Sequence, residues 1–370
     1  MNSRTPLALL GGLSPSQFMR RHWQKKPLLV RQAVPGFESP LSMQDLKALA
    51  AQSDVESRLI TQGPKNWTMR HGPLKARSFP ARTQRAWTFL VQGVNLHDDR
   101  VSDFMRQFRF VPDARLDDVM ISWASDGGGV GPHFDSYDVF LFQAQGRRRW
   151  RIGRSDDLAL KPDVPLKILR RFEPEAEFVL EPGDMLYLPP RYAHDGIAQG
   201  ECMTWSIGFR SAPRHEWARE ILSRLGDHLP EDPVLYGDAQ QACPSRPAEI
   251  PLAMHTHLQA VLKKSLANPM AAQRALGEWL TEPKAEVWFD SSPLWRAGQG
   301  VRLDRRSRML YDRHHVFLNG ESWRASGADA RLLRMLADQG RLNPAQVARA
   351  SADGLTCLQD WCEAGWIRPE

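Results

Sequence analysis

From about Leu59 to Phe209 the chain is dominated by short apolar alternations broken by Gly, Pro and Asp. Alternation with a period of two marks strands whose faces meet different environments, and many short strands joined by turns bury their apolar faces as a sandwich or a barrel. Residues 119–123, 139–142, 150–152, 178–180, 185–188 and 204–209 are the expected strands.

After Pro213 the spacing becomes helical: Trp217, Ile221 and Leu225 recur at every fourth position, and Leu258, Val261, Leu262 and Leu266 form a stripe that continues past Pro269 to Leu276 and Leu280. The stretch 227–251 between them is rich in Pro, Asp and Gly and is expected to be a loop. Further on, Val316-Phe317-Leu318, Asn319-Gly320 and Glu321-Ser322-Trp323 predict a type I′ hairpin. Helices are expected over 328–338, 344–350 and 355–364, which makes the last block compatible with a winged helix. The 370 residues thus divide into blocks 1–210, 211–285 and 286–370, an α+β chain whose β part comes first.

Composition narrows the function classes. With 42% apolar and 25% charged residues, a disordered or collagen-like chain is excluded. Four cysteines without a Cys-x-x-Cys pair offer neither a disulfide framework nor a zinc ribbon, and a reducing, cytoplasmic setting is expected. No run of 18 apolar residues predicts a membrane span, and the apolar start ends at the helix signal Ser14-Pro15, so no signal peptide is expected. The net charge of +6 raises nucleic acid as a partner, but its distribution argues otherwise. Residues 1–100 hold 15 basic and 6 acidic residues, 101–250 hold 18 and 24, and 251–370 hold 16 and 13.

The acidic middle also holds the chemistry. His133-Phe134-Asp135 follows the Gly-rich turn 127–131, and on a strand residues two apart share a face, so imidazole and carboxylate can point into one cavity. His194, after the turn 181–184 and the Pro189-Pro190 exit, is the best third ligand. Two His and one carboxylate form the facial triad of non-haem Fe(II) oxygenases. A lone His-x-Asp is more often a surface pair; the joint pattern raises its weight. Within Arg147-Arg148-Arg149-Trp150-Arg151-Ile152, alternation puts Arg148 on the apolar face with Trp150 and Ile152. An internal Arg needs a carboxylate, from an internal Asp or from a bound ligand. The glycine run lacks the Lys-Ser/Thr and the following helix of a phosphate loop.

With Met120-Ile121-Ser122-Trp123, Gly131-Pro132-His133-Phe134-Asp135-Ser136-Tyr137-Asp138, Gly146-Arg147-Arg148-Arg149-Trp150 and Pro182-Gly183-Asp184 through His194 in this order, the chain resembles the bacterial ribosomal oxygenases of the JmjC/cupin class. The resemblance implies a double-stranded β-helix (jelly-roll) catalytic domain, a helical dimerisation region and a C-terminal winged-helix-like domain, in the order of the three blocks. It implies Fe(II) held by His133, Asp135 and His194, with Arg148 on the distal carboxylate of 2-oxoglutarate and O2 as second co-substrate. The implied reaction hydroxylates an arginine of a basic ribosomal protein, the sixteenth of the large subunit, and releases succinate and CO2. Tyr137 and Met120 are implied to sandwich the substrate side chain, Asp118 to bind its guanidinium and Ser206 to assist. Ala124 departs from the pattern, where relatives can carry a hydroxyl near the co-substrate carboxylate.

The chain is accordingly expected to be a homodimer, although an intramolecular helix bundle would explain the stripe from Leu258 to Leu280 equally well, to bind no membrane and not to bind nucleic acid directly. Two other readings compete. A cupin isomerase with zinc or manganese would share the triad but has no use for Arg148. A DNA-binding regulator would use the last block, where 301–350 holds 10 basic and 5 acidic residues, although that shape equally serves docking.

Overall fold

A computed structural model describes residues 3–63, 66–154, 157–229, 231–243, 245–291, 295–296, 298–324 and 326–370. The chain forms two compact units, one of residues 1–211 with 285–288, the other of 212–284 with 289–370. In the first unit a capping box between Ser14 and Gln17 starts helix α1 (Pro15–Arg21), followed by α2 (Met43–Ala50) and α3 (Asp99–Met105). Its strands are β1 (Leu28–Val30), β2 (Ser57–Gln62), β3 (Trp67–His71), β4 (Trp87–Val91), β5 (Leu116–Ala124), β6 (Val139–Gly153), β7 (Ala176–Leu180), β8 (Met185–Leu188) and β9 (Ala193–Phe209). They join in the order β1-β8-β6-β9-β5-β4-β2-β3, with β7 paired to the far half of β6.

The alternation read from the sequence divides the side chains between two faces. Val119, Ile121, Trp123, Phe140, Phe142, Trp205, Ile207 and Phe209 join Phe18, Leu46 and Phe104 of the helices in one large core. Val139, Leu141, Trp150, Ile152, Leu180, Leu186 and Leu188 form a second cluster on the opposite face. The segments 139–142 and 150–152 are halves of one 15-residue strand, and 204–209 ends a 17-residue one. Their pairing shifts register between Gln143 and Arg147, where Gly146 adopts φ 61°. A Cβ on Gly146 would stand 2.1 Å from the Glu201 carbonyl, so only glycine lets the two long strands bend together.

The second unit holds α4 (Arg214–Asp227), α5 (Leu252–Ser265) and α6 (Pro269–Thr281). They precede β10 (Val301–Leu303), β11 (Met309–Tyr311), β12 (His315–Leu318), β13 (Glu321–Arg324), α7 (Gly327–Gln339), β14 (Arg341–Leu342), α8 (Pro344–Val347), α9 (Ala352–Glu363) and β15 (Ile367–Pro369). Strands β12 and β13 pair across Asn319-Gly320, whose φ values of 52° and 90° give the expected hairpin both left-handed residues. The loop expected over 227–251 is borne out: its described residues after helix α4 carry neither helix nor strand. Among the described residues no helix is long and apolar enough to cross a membrane.

Candidate active site

His133 and His194 meet as an isolated antiparallel β-bridge, each backbone N–H donating to the other's carbonyl at 3.0 and 2.8 Å. The pairing sets the imidazoles 4.2 Å apart, centroid to centroid. Asp135 completes the cluster: one ligand atom from each of His133, Asp135 and His194 lies within 4.8 Å of the other two. The sequence argument placed His133 and Asp135 on one strand, and here it needs correction. Only His133 is bridged, and Asp135 lies in irregular backbone anchored by the Arg191 N–H, which donates to its carbonyl at 2.7 Å. The two side chains converge through that irregular segment rather than through a pleat.

Tautomers follow from the neighbours. The Nδ1 atoms of His133 and His194 lie 2.9 and 3.0 Å from the carbonyls of Gly131 and Tyr192. A carbonyl only accepts, so each Nδ1 donates and each Nε2 is the ring nitrogen left to face a ligand. Burial, and then the neighbouring His133, depress the His194 pKa to about 4. A neutral imidazole facing a carboxylate, with Asp135 Oδ2 3.7 Å from its Nε2, is the donor set that a divalent metal takes. Trp150 packs 5.8 Å from the His194 ring. That packing depends on Gly196, where a Cβ would stand 2.6 Å from the indole.

Arg148 is buried on the face with Trp150 and Ile152, whereas Arg147 is exposed and Arg149 and Arg151 half-buried, so the register read from the sequence is right. Its Nη1 donates to Ser122 Oγ at 3.4 Å, and its guanidinium lies 5.6 Å from the Trp150 ring. Its Nε and Nη2 have no hydrogen-bond partner, and no carboxylate among the described residues pairs with it. The internal Asp considered as an alternative is therefore not there. Such burial is costly unless an anion completes it, and the orphaned N–H groups fit the distal carboxylate of 2-oxoglutarate. Sequence reasoning did not single out Ser122, although it continues the row Asp118, Met120, Ser122, Ala124 on one face of β5. Ala124 itself packs with Ala198 and Cys202 in an apolar patch.

Asp118 is no solvated turn carboxylate. It is 3% exposed on β5, and its Oδ2 accepts from Gln92 Nε2 at 2.7 Å and the Gly93 N–H at 3.1 Å. Met120 pairs with Ser206 across β5 and β9. Tyr137 is not barrel core either: 38% of it is exposed. Crowding around its hydroxyl and the carboxylates of Asp135, Asp118 and Asp117 hold its pKa above the ordinary value. Asp118 Oδ1 and the Tyr137 ring lie 3.5 and 3.9 Å from the point where Gly208 lacks a Cβ, so the two border one space.

Residues 103–217 match the family model described as a JmjC domain, and residues 264–368 match a ROXA-like winged helix. Over 276 residues the chain is 36% identical to the ribosomal protein uL16 3-hydroxylase of Escherichia coli, covering 73% of this chain and 72% of that protein. A probable ribosomal oxygenase of Haemophilus influenzae is 37% identical over 54% of this chain and 50% of its own. Among solved structures, the Escherichia coli ribosomal oxygenase YcfD in complex with cobalt and 2-oxoglutarate superposes with a TM-score of 0.80 at 29% identity, over 96% of this chain and 98% of that one.

Proposed function

This chain belongs to the JmjC-domain ribosomal oxygenases, which use Fe(II), O2 and 2-oxoglutarate, and on that premise we propose that it hydroxylates C3 of an arginine in the ribosomal protein uL16. The observation that carries the reading is Arg148, a buried guanidinium with two orphaned donor atoms on the face that holds the His133, Asp135 and His194 cluster. A cupin isomerase would have no use for that cation.

His133, Asp135 and His194 would hold the iron, and Arg148 with Ser122 the distal carboxylate of the co-substrate. When bound, iron with 2-oxoglutarate and O2 supplies the oxidising power to place one oxygen on an unactivated carbon, 2-oxoglutarate leaving as succinate and CO2. The chain's own contribution is position. Asp118, fixed by Gln92 and Gly93, receives the substrate guanidinium, while Tyr137 and Met120 take its methylene stem between them and Ser206 adds a hydroxyl. Held at both ends, the stem can present only one or two carbons to the metal. The acidic balance of residues 101–250 suits a basic protein rather than a phosphate backbone.

Homodimerisation is part of this reading. Leu258, Val261, Leu262 and, at the C-cap of α5, Leu266 are 54%, 44%, 51% and 53% exposed, which leaves this part of the stripe free for a second copy, while Leu276 and Leu280 on α6 are half-buried. The functional division follows the blocks 1–210 (oxygenase), 211–285 (dimerisation) and 286–370 (winged-helix-like), and the enzyme works in the cytoplasm, where its ribosomal substrate is made. The test is intact-mass analysis of uL16 after incubation with the enzyme, Fe(II) and 2-oxoglutarate. One arginine should gain about sixteen mass units, one oxygen, and none should with Asp135→Ala. Oxygen found on another residue type, or succinate released with uL16 unmodified, overturns the proposal.

A further inference from the structure

The second unit carries a cavity that the oxygenase chemistry does not use. It has a volume of about 580 Å³ and is lined from β13 by Glu321 and Trp323, from α9 by Asp353, Asp360 and Trp361, and by Trp366 just before β15. Glu321 and Trp323 share a face because they stand two apart on a strand, and Asp353 and Asp360 because they stand two turns apart on a helix. The ring of Trp323 meets Trp361 at 5.0 Å and Trp366 at 6.1 Å, both at 71°; Trp361 is the buried floor, 2% exposed, and the half-buried Trp323 and Trp366 supply the accessible aromatic surface.

The indoles belong to the edge of the second unit's apolar core, and the carboxylates ring its exposed rim. Glu321, Asp353 and Asp360 are all exposed, none has an ion-pair partner among the described residues, and no Lys or Arg lines the cavity in a chain that has 49 of them. Indole faces and carboxylates attract the same kind of ligand, a cation. A nucleic-acid phosphate would meet three like charges here with no cation beside them. A metal site on the adjoining Cys357 is also disfavoured, because burial, then Asp360 and Asp329, push that thiol up to about 12.

We propose that this pocket receives an arginine side chain of a basic polypeptide, with the guanidinium against the half-buried rings of Trp323 and Trp366 and its N–H groups on Glu321, Asp353 and Asp360. A planar guanidinium can stack on an indole while its edge engages a carboxylate, which a compact ammonium or a polyamine cannot do. The cavity lies within the roughly 300–1,000 Å³ range of ligand pockets, larger than a single guanidinium fills, so flanking residues of a polypeptide find room.

The experiment uses the full chain carrying Asp118→Asn, so that the oxygenase site does not compete, and follows fluorescence anisotropy of a labelled arginine-rich hexapeptide. The peptide should bind, the same peptide with citrulline for arginine should bind at least tenfold more weakly, and adding Asp353→Asn and Asp360→Asn should weaken binding by a similar factor without moving the melting temperature. Trp323→Phe should weaken it severalfold. Equal affinity for the citrulline peptide, undiminished binding by the double Asn variant, or displacement by spermidine where arginine amide has no effect would each overturn the proposal. Hydroxylation of uL16 is scored separately, so failure here leaves the oxygenase reading standing.

Discussion

Replacing Arg148 by Met should move two measurements in opposite directions. Met keeps the length and flexibility of the stem and removes the charge. Arg148 is 5% exposed, with one 3.4 Å contact to Ser122 and two guanidinium nitrogens unpaired. Exchanging even paired buried ions for well-packed apolar side chains of similar volume is often neutral or stabilising by about 1–4 kcal/mol, and a guanidinium without a carboxylate partner should sit at the stabilising end. For a unit of this size each kcal/mol raises the melting temperature by roughly 2–4 °C. Co-substrate binding should suffer instead. Removing one partner of a buried, hydrogen-bonded charge pair costs about 2–5 kcal/mol, a loss of roughly thirtyfold to several-thousandfold in affinity for 2-oxoglutarate. Urea denaturation without co-substrate reads the first effect, and calorimetry of 2-oxoglutarate binding to the anaerobic Fe(II) protein reads the second. A variant less stable than the wild type without ligand would mean that the free protein already compensates Arg148. A change of less than twofold in affinity would remove it from the co-substrate site.

The remaining predictions concern the shell of the site and the helical block. With the His194 pKa at about 4 against an ordinary 6.5, the metal-free unfolded chain binds a proton that the fold refuses; stability should therefore fall as pH drops from about 6.5 to about 4, by about 3 kcal/mol in total. Urea midpoints of the metal-free wild type and His194→Gln across that range check this, and parallel pH profiles would contradict it. Gly196→Ala sets a methyl 2.6 Å from the Trp150 indole and should cost about 1–3 kcal/mol in stability while lowering 2-oxoglutarate turnover; an unchanged melting curve would count against the packing argument. Leu258→Lys with Leu262→Lys should leave a folded monomer by light scattering, and a persisting dimer would place the interface elsewhere.

What could be read from the sequence was local. Alternation identified the strand segments and put Arg148 inside, because a period of two is a property of neighbouring residues, and Asn319-Gly320 announced its hairpin for the same reason. What could not be read depends on distant pairing. Nothing near Leu28–Val30 reveals that it pairs with Met185 to Tyr187, and nothing near 139–142 shows that this strand continues through a bulge to Gly153. Asp135 shows both limits: its partnership with the two histidines was foreseen, but through a strand that is not there. The burial of Asp118 became visible only once Gln92 and Gly93 were brought beside it.

The reciprocal backbone bridge between His133 and His194 also bears on which ion the protein takes. Because main-chain hydrogen bonds hold the pair, the imidazoles do not depend on a metal to bring them together. A site that is already assembled cannot use the cost of assembly to discriminate among divalent ions. Selection then falls to donor chemistry and to the supply of free ions, and two imidazoles with a carboxylate bind several first-row metals more tightly than iron. Mismetallation is the weakness built into this architecture, and iron starvation should silence the enzyme through exchange of its ion while the fold stays intact.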